Sequence, residues 1–121
     1  MTEDPEGKKI LVIQTHGVET PNRTYSPLFY AMAAAAMEME VMVWFTMVGT
    51  NQLRKGAAEK VQLDPTSDVT LKTMLEQTIE AEVKLRVCQQ SLLLFDMTLD
   101  DVIDDVEILG ATSIIDLSLN A

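Results

Sequence analysis

Lys84-Leu85-Arg86-Val87-Cys88-Gln89-Gln90-Ser91 is the stretch in which the chain changes period. From Val83 to Val87 apolar and basic residues alternate, the two-residue repeat of a strand, whereas Ser91-Leu92-Leu93-Leu94-Phe95 suits a helix packed on a sheet. Cys88, the only cysteine of the chain, falls on the junction. At a helix start, unpaired backbone N–H groups and the helix dipole favour thiolate over thiol. The resting pKa of about 8.5 can then fall to roughly 3.5–7.5, the range of reactive cysteines. Period-two spacing also places Lys84 and Arg86 on the side of Cys88. The plainer alternative is a small buried hydrophobe, since free cysteine is among the most buried residue types. The junction and its basic neighbours favour a reactive thiol.

Upstream of this stretch, Ile10-Leu11-Val12-Ile13 follows Lys8-Lys9 and reads as a strand buried on both faces of a parallel sheet. A polar loop from Gln14 to Arg23 leads to a predicted helix over Thr24 to Met39, with Leu28, Met32, Ala35, Ala36 and Met39 at helical spacing and Pro27 in the first turn. Val41 to Val48 is an apolar, β-branched and aromatic run ended by Gly49-Thr50-Asn51, and reads as a central strand. A loop over Gln52 to Ser67, with a short helix near Leu53 to Ala58, precedes a helix capped by Asp68 and striped with Leu71, Met74, Leu75, Thr78 and Ile79.

Downstream, a helix is predicted from about Gln90 to Met97, and Thr98-Leu99-Asp100-Asp101 has the spacing of a capping box. A strand at Val106 to Leu109 and a helix over Ala111 to Leu119, capped by Thr112 or Ser113, complete the pattern. Alternating strands and helices predict an α/β fold: a three-layer open sandwich with a mostly parallel central sheet of four to five strands. Residues 1–7 read as a disordered or extended tail and 8–121 as a single domain. Ligands gather at the carboxyl ends of such strands, so Thr15-His16, Met47-Val48-Gly49 and Cys88 are expected on one rim. There His16 is a candidate general base, and Arg23 with Tyr25 and Ser26 a candidate anion contact.

Composition narrows the function. With 121 residues, 47% of them hydrophobic, the chain has enough apolar material for one core. Glu38 and Glu40 interrupt its longest apolar stretch, which argues against a membrane span, and the acidic start lacks a signal-peptide pattern, so a cytoplasmic location is expected. A single cysteine makes no internal disulfide. Asp100, Asp101, Asp104 and Asp105 lack the spacing of a calcium loop and read as a solvated face, so no metal is expected. Without G-x-G-x-x-G or a phosphate-binding loop, no nucleotide cofactor is expected either. A net charge of −10 argues against nucleic acid and for a weakly basic protein partner. The eight methionines suit core gaps or a subunit interface.

Taken in order, Lys9 to Ile13 leading to Thr15-His16-Gly17, Arg23-Thr24-Tyr25 with Pro27-Leu28-Phe29, Val87-Cys88-Gln89-Gln90-Ser91-Leu92, Asp100-Asp101-Val102, Val106-Glu107 and Ile114-Ile115-Asp116-Leu117 resemble the DsrE/DsrF-like family. More narrowly, they resemble its sulfur-carrier branch found in archaea and bacteria. The resemblance implies a YchN-like fold, homotrimers or homohexamers, and a cysteine that accepts and passes on sulfur in a relay with TusA-like or rhodanese-like proteins. Cys88 stands at the family's cysteine position and would carry sulfane sulfur as a persulfide or thiosulfonate. Thr15, His16 and Arg23, with Gln89 and Ser91 beside the cysteine, are the expected substrate contacts. The family commonly adds a closing strand where this chain has Leu119-Asn120-Ala121. The competing expectation is a non-catalytic interaction or redox-regulatory module whose cysteine is structural.

Overall fold

The computed structural model describes residues 4–121. Among them four strands, β1 (Lys9–Gln14), β2 (Glu40–Phe45), β3 (Lys84–Cys88) and β4 (Val106–Leu109), form one parallel sheet in the order β1-β2-β3-β4. The expected α/β architecture is therefore present, with four strands. When every crossover is right-handed and the sheet grows in one direction, the connecting helices fall on one face. Helices α1 (Pro21–Ala36) and α2 (Leu71–Glu80) accordingly pack on each other, and α1 packs on β1 and β2. Leu28, Ala31 and Ala34 of α1 and Leu71, Met74 and Leu75 of α2 bury themselves with Val41, Val43, Phe45, Leu85, Val87 and Val106 of the sheet. The alanines let α1 approach closely. Helix α3 (Gln89–Leu94) follows β3 directly, and α4 (Ala111–Ser118) follows β4. Leu117 of α4 lines a cleft of about 500 Å³ with Leu11, Met42 and Lys84, side chains of the opposite sheet face, which makes α4 the third layer.

Several boundaries differ from expectation, each for a local reason. The apolar run of β1 is not buried on both faces: β1 lies at the edge of the described sheet, and Ile13 is 57% exposed. β2 stops at Phe45 because Met47 takes the left-handed conformation (φ 54°) and opens a 3₁₀ turn over Met47–Leu53. A second such turn covers Ala58–Lys60, so the short helix expected near Leu53 to Ala58 is absent. Helix α2 is capped by Thr70, whose hydroxyl accepts the Thr73 amide at 3.3 Å, and not by Asp68. Helix α4 has Gly110 at its N-cap, with no side-chain hydrogen bond there, in place of Thr112 or Ser113. The Thr98–Asp101 capping box forms, the Thr98 amide donating to Asp101 Oδ2 at 2.8 Å.

The most consequential shift is at α1, which begins at Pro21, so that Pro27 lies inside the helix and past its first turn. A proline there has no N–H for the Arg23 carbonyl four residues back. Gln14, only 1% exposed, supplies the missing donor: its Nε2 lies 3.5 Å from the Arg23 oxygen and 3.4 Å from that of Thr24. Its Oε1 accepts the His16 amide at 3.1 Å. One buried side chain thus joins the end of β1, the break in α1 and the loop after β1. Gln14→Leu, which keeps the volume and deletes these bonds, is expected to lower stability by about 1–3 kcal/mol. Urea denaturation checks this, and an unchanged midpoint would contradict the role.

Candidate functional site

The register of β2 on β3 pairs Trp44 with Arg86 and Phe45 with Val87. The residues that continue β2, Thr46 and Met47, therefore come level with Cys88 and the start of α3. Cys88 is the last residue of β3, extended at φ −70° and ψ 118°, and half-buried. One helical step on, Ser91 turns inward and is 2% exposed. Burial pushes the Cys88 thiol up, but hydrogen bonding from the Ser91 hydroxyl and amide, the Thr46 hydroxyl and the Gln90 amide outweighs it and lowers the pKa below its ordinary value. The helix start contributes through these particular N–H groups.

Arg86 does not act as the sequence suggested. Its side chain is 14% exposed, its Nε lies 3.5 Å from Glu107 Oε2, and it donates through one terminal nitrogen to the Leu85 carbonyl at 2.8 Å. The guanidinium is thus neutralised on the sheet face by β4. Lys84 is exposed at the other end of β3.

The rim beside Cys88 is built from a tight turn. The Met47 amide donates to Ser91 Oγ at 2.9 Å, and Thr46 Oγ1 lies 3.2 Å from the same oxygen. The Met47 carbonyl accepts from the Thr50 hydroxyl at 3.0 Å. Gln52, fully buried, donates through Nε2 to the His16 carbonyl at 2.8 Å and the Gly49 carbonyl at 3.0 Å. A Cβ on Gly49 would stand 2.5 Å from the Gln14 carbonyl oxygen, so only glycine lets this turn close on the end of β1.

Of the residues chosen from sequence, Ser91 is buried in the first turn of α3 and helps to lower the Cys88 pKa, and Gln89, next to the cysteine in the chain, is exposed. Thr15, His16 and Arg23 lie on the β1 side, with β2 between them and Cys88, which is roughly 10 Å at two strand spacings. His16 meets the rim through its backbone, and its ring Nδ1 lies 3.3 Å from Thr15 Oγ1. Arg23 is exposed on α1. Met47 is expected on this rim as part of the end of β2, but neither it nor Thr46 is among the chosen contacts, and no motif ties them to Ser91: the register of β2 on β3 does. Met47, Leu93 and Leu94 are exposed and give the surroundings of Cys88 an apolar surface.

Because the folded state favours the thiolate, the folded pKa lies below the unfolded one. The contribution to stability is then complete above the unfolded pKa and is lost as pH falls through the folded value. The stability of the wild type relative to Cys88→Ser is expected to rise from neutral pH toward about pH 9. Urea titrations at several pH values test this. A difference that stays flat, or falls, would contradict it.

Residues 8–121 match the DsrE/DsrF-like family. The chain is 27% identical, over an alignment 146 positions long including gaps, to the sulfur carrier protein DsrE2 of Allochromatium vinosum, covering 89% of this chain and 91% of that protein. Among solved structures, the ychN protein of E. coli superposes with a TM-score of 0.71 at 17% identity, covering 96% of this chain and 94% of that one. A protein of unknown function, MTH1491 of Methanobacterium thermoautotrophicum, superposes with a TM-score of 0.66 at 16% identity, covering 94% and 93%. These two likenesses establish the fold. The family match spans the whole α/β domain from the first strand through the helix after the last, and this chain belongs to the DsrE/DsrF-like family.

Proposed function

We propose that this protein is a sulfurtransferase or sulfur carrier that holds sulfane sulfur on Cys88 and passes it to a partner thiol. The observation that carries the reading is the half-exposed Cys88 sulfur, surrounded by hydroxyl and amide donors that favour its thiolate. Sulfur transfer needs a nucleophilic, reachable thiolate and little else from the protein. The similarity to a protein named as a sulfur carrier supports the same chemistry. In the loading step the Cys88 thiolate attacks the outer sulfur of a persulfide R–S–SH. The new S–S bond forms as the old one breaks, and R–S⁻ leaves with the electron pair. With tetrathionate the same attack leaves a thiosulfonate on Cys88 and releases thiosulfate.

The chain holds no second cysteine, so both donor and acceptor thiols come from other molecules. TusA-like or rhodanese-like proteins are the partners this reading assigns, with homotrimers or homohexamers as the assembly. Exposed Ile115, Leu117 and Leu119 around α4, and Ile13 at the sheet edge, offer apolar surface for self-association. No helix of the described residues is long and apolar enough to cross a membrane, in keeping with the proposed cytoplasmic location. Thr15, His16 and Arg23 remain proposed substrate contacts on the far side of the rim, where a bulky donor would extend from Cys88.

Mass spectrometry after incubation with polysulfide, thiosulfate or tetrathionate tests the proposal. The wild type is expected to gain a sulfur adduct that a reducing thiol removes, and Cys88→Ser none. No adduct, or the same adduct on the variant, sinks the reading. Slow reaction of the native protein with a thiol reagent, fast only after unfolding, would instead make Cys88 a packing residue.

A further inference from the structure

We propose that the open edge of β1 is a self-association surface on which a second copy of this chain lays its own β1, antiparallel about a twofold axis at Leu11, so that one four-stranded sheet continues into the other. The assignment does not depend on the sulfur-carrier reading.

The ladder shows which backbone groups are free. The Glu40 amide donates to the Lys8 carbonyl at 2.8 Å and the Thr46 amide to the Gln14 carbonyl at 3.1 Å, at the two ends of an unbroken β1–β2 register. Bonding to a neighbouring strand alternates along a strand, so Ile10, Val12 and Gln14 bond to β2. The amides and carbonyls of Lys9, Leu11 and Ile13 point the other way, and none of them has a partner among the described residues.

The two edges of the sheet are built differently. β4 is four residues long, follows Asp104 and a left-handed Asp105 (φ 69°), and carries Glu107. Shortness and charge are what keep an edge from pairing with another chain. β1 is six residues long, has no bulge and no proline, and its interior is Ile10-Leu11-Val12-Ile13. Ile13 is 57% exposed and Ile10 37%, and Leu117 of α4 lines the cleft beside Leu11. Such an edge is a template for one more strand.

Self-complementarity makes a second copy the occupant. About an axis at Leu11 the facing pairs are Leu11 with Leu11 and Lys9 with Ile13, so every outward amide meets an outward carbonyl. Lys9 never faces Lys9, and its aliphatic stem covers the exposed Ile13. Charge directs the copies to the same edge. Val87 to Leu109 holds six carboxylates and no Lys or Arg, whereas at β1 Lys8 and Lys9 balance Glu38 and Glu40. Three strand spacings, roughly 14 Å, separate the two edges, more than the Debye length of about 8–10 Å. Two chains of net charge −10 therefore meet at β1 with little repulsion. Antiparallel pairing turns the two Cys88 rims to opposite ends of the joined sheet, so each site stays open. Of the assemblies proposed above, a hexamer can be built from such twofold pairs and a trimer cannot.

Sedimentation velocity of the full chain over a range of concentrations tests the surface, with Ile13→Lys and Ile13→Glu as variants. Ile13 is exposed in the single chain, so neither substitution removes core packing. The wild type is expected to sediment as an even number of copies. Ile13→Lys sets like charges opposite each other on both sides of the axis and is expected to weaken the pair roughly tenfold, whereas Ile13→Glu, facing Lys9, is expected to keep it. In the Cys88→Ser background, Leu11→Cys is expected to oxidise to a covalent dimer. Facing residues of a hydrogen-bonded antiparallel pair have Cα atoms about 5.5 Å apart, within disulfide reach. A wild type that stays monomeric or trimeric at every concentration overturns the proposal. So does an Ile13→Lys chain that associates as the wild type does, an Ile13→Glu chain as weakened as Ile13→Lys, or a Leu11→Cys chain that forms no cross-link.

Discussion

The pairing of Phe45 with Val87 in the parallel β2–β3 ladder is the constraint on which the rim depends. Both side chains, with Val43 and Leu85, are enclosed by α1 and α2, and burying each is worth about 1.5–3 kcal/mol. A slip of β3 by one residue would turn Leu85 and Val87 to the opposite face and Cys88 toward the core. The apolar core thus secures the position of a polar, reactive group that it does not touch. Once the register is set, the residues following Phe45 have only one place to go, beside the cysteine.

Around that register the structure accommodates departures from regular geometry, each met by a buried polar group. Pro27 leaves α1 short of a donor, and the Gln14 amide replaces it. Gly49 comes close to the end of β1, and Gln52 fastens the Gly49 carbonyl together with that of His16 in the loop after β1. Met47 is held left-handed, a conformation that costs on the order of 1–3 kcal/mol, and its amide and carbonyl are both bonded, to Ser91 and Thr50. The sequence of contacts from Gln14 through His16, Gln52 and Gly49 to Met47 and Ser91 spans three strand ends. A rim held at this many points presents its donors to the sulfur without reorganising when charge develops there, the usual source of electrostatic advantage at reacting centres.

How much of this was legible beforehand depended on the range of the interaction. The alternation at Val83 to Val87, the apolar runs of β1 and β2 and the stripe on α2 are local patterns, and they placed the strands, the parallel sheet and the cysteine at a strand end. The Thr98–Asp101 cap was equally readable, because both partners lie within one turn. Exposure of β1 was not, since a continuous apolar run looks the same in the middle of a sheet and at its edge. Arg86 looked like a cation for the thiol because spacing gives its side but not its partner, and Glu107 comes from a different strand.

The sequence by itself determined the order of strands and helices, the family, and the identity and junction position of Cys88, because each of these is set by residues close together in the chain or by a pattern running along it. Only the tertiary structure decided what surrounds the sulfur. Thr46 and Met47 lie more than forty positions from Ser91 in the chain, as the 2.9 Å bond across a separation of 44 residues makes plain. They meet it through a register chosen by side chains on the other face of the sheet. The junction supplied by the sequence became a specific thiolate site through the packing of the core behind it.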